Sequence, residues 1–74
     1  MESDREKFVR LANARVNKAI KAIQLVGNLS NRSNYQYEEA DVEKIFRALN
    51  TELKQCRQRF DARSDVTTSG FTLE

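Results

Sequence analysis

No glycine or proline interrupts the chain between Ser3 and Gly27, and within that stretch Val9, Ala12, Val16, Ala19, Ile23 and Val26 recur at intervals of 3, 4, 3, 4 and 3. Such spacing keeps one side of an α-helix apolar and suits no strand, whose side chains alternate every second residue. Ser3 followed by Glu6 has the form of a capping box, in which hydroxyl and carboxylate each accept the other residue's amide. Gly27 stands where a left-handed glycine cap closes a helix. A helix over about residues 4–26 is therefore expected. Phe8, Leu11, Ile20, Ala22 and Leu25 flank the seam, and at about 100° per residue the apolar positions sweep an arc of roughly 220°.

Residues 27–37 form the expected connection. Three asparagines and two serines between Asn28 and Tyr37 favour turns and bonds from side chain to backbone. Tyr35 and Tyr37 alternate with Gln36, which suits a short extended piece. A second helix is expected over about residues 38–60. Its acids open it and Arg57 and Arg59 close it, as the helix dipole prefers, and Glu43 with Arg47 makes an i, i+4 pair. Val42, Ile45, Phe46, Leu49, Leu53, Cys56 and Phe60 give this helix an apolar stripe of only about 100°. Residues 61–74, rich in Ser and Thr, are expected to be a disordered tail. Leu73-Glu74 has the form of a junction left before a purification tag, which places the expected natural end earlier.

A stripe of about 100° cannot cover a face of about 220°. Each large apolar side chain left in water forgoes about 1.5–3 kcal/mol, a sizeable share of the stability open to 74 residues. Cys56 is the single cysteine and histidine is absent, so neither a disulfide within the chain nor a histidine-ligated structural zinc supplies the difference. The expected fold is all-α: an antiparallel helical hairpin over residues 1–60 that completes a four-helix bundle as a homodimer or higher oligomer. Phe8, Leu11, Val16, Ile20 and Ile23 are the expected interface residues. The rival cover is the chain's own tail, through Phe71 and Leu73, but that tail is poor in apolar groups.

Charge adds a second pattern. From Lys7 to Tyr37 there is no acid, whereas Glu38, Glu39, Asp41 and Glu43 follow at once. Attraction between the halves of a dipolar subunit accounts for this. A nucleic-acid surface accounts for it too: Lys7, Arg10, Lys18 and Lys21 are placed on the side of the first helix away from the seam, with Asn13, Asn17 and Gln24, and supply phosphate contacts. Arg15 lies inside the apolar arc. It either extends its head to water or pairs with an acid such as Glu52, or it holds an anion between subunits. The connection carries Asn31, Arg32, Asn34, Tyr35 and Tyr37, residue types that either cap the end of a bundle or form a recognition surface.

Catalysis finds no constellation. A Ser or Cys nucleophile lacks its usual histidine base, no glycine-rich phosphate loop or metal-ligand spacing is present, and Cys56 on the stripe reads as a small core residue. No enzyme activity, metal or cofactor is expected. No apolar run approaches the ~20 residues of a membrane span and no export signal opens the chain, so the expected setting is cytoplasmic. The two Asn-x-Ser sequons at Asn28 and Asn31 are then accidental.

Phe8, the run from Arg15 to Ile23, the run from Gly27 to Asn31, Asn34 with Tyr35 and Tyr37, and the run from Asp41 to Phe46 together resemble a family of short, poorly characterised bacterial and phage proteins. The resemblance covers about two-thirds of the chain. It implies a compact soluble domain from a mobile element and assigns no chemistry to any residue. The function expected from these features is protein–protein interaction and oligomerisation with an unidentified protein partner; the alternative is a helical dimer that binds RNA or DNA.

Overall fold

A computed structural model describes residues 1–69, with side chains to residue 63. The chain divides into two units, Met1–Gln36 and Tyr37–Glu74, each of which is built around one helix. Among the described residues there is no strand.

In the first unit, helix α1 spans Asp4–Gly27. It starts at the capping box: the Glu6 amide donates to Ser3 Oγ at 3.0 Å and the Ser3 amide donates to Glu6 Oε1 at 2.8 Å. Two donors that a helix start leaves without partners are thereby satisfied. The Ser3 amide first, and its hydroxyl second, hold the Glu6 carboxyl below the usual glutamate range. A depressed carboxyl favours the folded form above its unfolded pKa and loses that effect as pH falls through the folded value, so the box supports α1 at neutral pH and weakens in acid. Glu2 reaches forward to grip Arg10 through two bonds of 2.8 and 3.0 Å, which raises the Arg10 pKa.

The other end differs from the sequence reading. Gly27 has φ −59° and ψ −31°, ordinary right-handed geometry, and no described residue has positive φ. Instead of reversing, the chain tightens into a 3₁₀ turn over Asn28–Ser30. The Asn28 amide is shared among the carbonyls of Gln24, Leu25 and Val26. Shorter i to i+3 bonds answer the last carbonyls, so no left-handed cap is needed.

In the second unit, helix α2 spans Glu39–Ser69. No Ser or Thr precedes it, and carboxylates serve instead. The Glu38 carbonyl accepts the amides of Asp41 and Val42 at 3.0 and 3.3 Å, and Asp41 Oδ2 accepts the Glu38 amide at 2.8 Å, which is half of a capping box. The sequence reading ends this helix near Phe60, but the structure carries it to Ser69. The absence of glycine and proline before Gly70 and the Arg57–Asp61 ion pair of 3.1 Å, four residues apart, account for the extension. The expected Glu43–Arg47 pair is not formed among the described residues. Residues 70–74 of the expected tail, with Phe71 and Leu73, lie outside the described residues.

No described side chain is buried. Leu11, Ala12 and Val26 in the first unit, and Tyr37, Val42, Ile45 and Leu49 in the second, are partly covered. Leu25 and Leu53 keep 63% and 70% of their surface in water. Cys56, expected in a core, is exposed as well. Neither single helix has a second surface of its own on which to fold these groups.

Because Gly27 is right-handed and a Cβ there would meet only open space, Gly27→Ala is expected to strengthen α1 by up to about 1 kcal/mol. Circular dichroism during thermal unfolding measures this; a loss of helicity would mean that the glycine serves as a left-handed cap after all.

Candidate interaction surfaces

Continuity of α1 from Asp4 to Gly27 keeps the wheel positions in phase, so its apolar arc is one unbroken surface. Of the five expected interface residues, Phe8, Val16, Ile20 and Ile23 are exposed and Leu11 is partly covered. Ile20 leaves 48% of its surface in water. The Arg5 guanidinium lies over the Phe8 ring, 5.9 Å from its centroid, a cation–π contact near the N-terminal end of the arc.

A second row runs beside the first. Phe8, Leu11, Arg15, Lys18, Ala22, Leu25 and Leu29 follow intervals of 3, 4, 3, 4, 3 and 4. Leu29, in the 3₁₀ turn and exposed, is absent from the sequence reading because Gly27 was taken as the end of the surface. The interval of four from Leu25 was the signal that pointed to it. Arg15 sits in this second row, exposed and in no ion pair among the described residues.

The bases divide between the rim of the arc and the side away from it. On the wheel Lys18 falls between Leu25 and Leu11, Lys7 falls level with Leu25, and Lys21 and Arg10 come next. Lys7 and Lys18 thus border the apolar arc, whereas Lys21 and Arg10 face away from it. Asn13, Asn17 and Gln24 share that side with Arg10 and Lys21. Arg10 is engaged by Glu2, while Lys7, Lys18 and Lys21 are exposed. Asn17, Lys18, Ile20, Lys21 and Gln24 line a shallow depression open to solvent, which has too little wall to enclose a small ligand.

The connecting segment is organised by Asn31. Its Oδ1 accepts the Ser33 amide at 3.0 Å and the Ser33 hydroxyl, an Asx turn. Its carbonyl accepts the amides of Asn34 and Tyr35 at 3.1 and 3.0 Å. Asn31 thus shapes the turn. Arg32 and Asn34 ride on it, Tyr35 is exposed, and Tyr37 is partly covered at the start of the second unit.

Among the described residues no group of three or more His, Cys, Asp or Glu could hold a metal ion, and no described helix is long and apolar enough to cross a membrane. Comparison with protein families, curated proteins and solved structures returns no match for this chain. No residue role is carried over from a relative.

Asn31→Ala removes the acceptor that holds the turn. Amide exchange at Ser33 is expected to quicken about five- to tenfold, the effect of losing one hydrogen bond worth about 1 kcal/mol. Unchanged exchange, read by hydrogen–deuterium NMR, would show that the turn stands on its backbone alone.

Proposed function

We propose that this protein is a non-enzymatic helical module that works by association: its helices close as an antiparallel hairpin, and two or more copies complete a bundle that presents a surface to a protein partner. One observation carries the reading, namely that both helices display large apolar side chains and, among the described residues, bury none of them. Water exposure of several such groups costs more than a domain of this size can forgo, and a second helical face is what covers them in bundles.

The sequences of the two helices support the hairpin. Taken antiparallel, their seams interleave with Ile23 level with Val42, Ala19 with Phe46, Val16 with Leu49, Ala12 with Leu53 and Val9 with Cys56. Each alanine meets a large residue. The same register sets Arg15 beside Glu52 and Glu6 beside Arg57, while a shift of one heptad in one direction would set Arg15 beside Arg59. Complementary size and sign thus favour one alignment.

Light scattering at micromolar concentration is expected to give at least twice the mass of one chain. Leu11→Asp is expected to weaken that association about a hundredfold or more, since each of two equivalent sites loses ~1.5–3 kcal/mol of burial. A wild-type chain that stays monomeric up to about 100 µM, far above the micromolar range of specific pairs, would remove the proposal.

A second reading, nucleic-acid binding, is favoured by the single stripe that gathers Lys7, Lys18 and Lys21 with Arg10. It predicts affinity for RNA or DNA that falls with salt, and a slope that drops by about two in Lys18→Ala/Lys21→Ala. Gel shifts at low salt without binding would exclude it.

A further inference from the structure

We infer that the basic-edged face of α1 docks, antiparallel, on the acidic first turns of α2 in a second copy of the chain. This rests on the self-association proposed above and specifies which surfaces meet. Arg15 and Lys18 lie within the apolar arc and Lys21 next beyond Leu25, so any helix that covers the Leu11 and Leu25 side must pass beside them. Residues 11–27 hold three bases, Arg15, Lys18 and Lys21, and no acid; residues 38–43 hold four acids and no base. Lys18, Lys21, Glu39 and Glu43 form no ion pair among the described residues, so their charge is available to a partner. Two α1 helices brought together on this side would set bases against bases, because neither offers an acid between Lys7 and Gly27. Two α2 helices would complement each other in charge but leave α1 uncovered. Pairing α1 with the second copy's α2 both hides the arc and matches its sign. Direction follows from the ends: residues 1–10 of α1 and its cap balance Glu2, Asp4 and Glu6 against Arg5, Lys7 and Arg10, so this neutral end, rather than the basic one, belongs beside Arg57 and Arg59. Like charges placed across an interface oppose association and opposite ones steer it.

Two variants separate the arrangements, Lys18→Glu/Lys21→Glu on α1 and Glu39→Lys/Glu43→Lys on α2, each checked for helix content by circular dichroism. Sedimentation is expected to show each variant alone associating about tenfold or more weakly than wild type. An equimolar mixture is expected to recover wild-type affinity, because both contacts of the mixed dimer again join opposite charges. Wild-type association is expected to weaken as sodium chloride rises. If the α2 variant alone associates like wild type, or mixing restores nothing, or salt strengthens the wild-type dimer, this docking is wrong while self-association stands. A wild-type chain that remains monomeric removes both.

Discussion

An isolated helix has no inside, and that constraint governs everything else about this chain. A helix hides side chains only where another surface meets it, and α1 carries apolar groups around about 220° of its circumference. The narrower stripe on α2, about 100° wide, has the right spacing to pair with part of that face and too little breadth to cover it. Each unit consequently holds its secondary structure by local means while its apolar groups stay in water.

Those local means are electrostatic and almost all lie at helix ends. Glu6 closes the start of α1 and Asp41 the start of α2, each by accepting the amide of the capping residue. Glu2 bridges to Arg10 across two turns, and Arg57 to Asp61 across one. All of these groups are solvent-exposed, so each contributes little singly. Their role is to set where the helices begin and how far they run. Such supports are weak singly, and helices in isolation are marginal in water.

The position of the bases changes how the surface is understood. Opposite the apolar arc, Lys7 and Lys18 would be a solvated face with no bearing on packing. At its rim they sit where a covering helix must pass, and long basic side chains there can lay their methylenes on apolar neighbours while their heads seek acids. Charge then selects among coverings that hydrophobic burial alone would treat alike, because burial is non-directional and charge is not.

Much of this was legible in the residues themselves. The unbroken 3–4 spacing identified α1, the Ser3–Glu6 pair its first turn, and the breadth of the apolar arc the large side chains left in water, because period and capping chemistry are local properties that a chain carries wherever it goes. What needed three-dimensional structure was conformation at positions where local chemistry permits more than one answer. Gly27 tolerates either hand, and the 3₁₀ turn made the right-handed form sufficient. The segment after Phe60 has little to bury but nothing to break a helix, so burial-based reading stopped it early while backbone geometry carried it to Ser69. Asn31 offered an amide equally fit for recognition or for a turn, and its bonds to Ser33 assign it to the turn. Sequence periodicity specifies which faces need covering; only atoms in place determine how the chain bends between them.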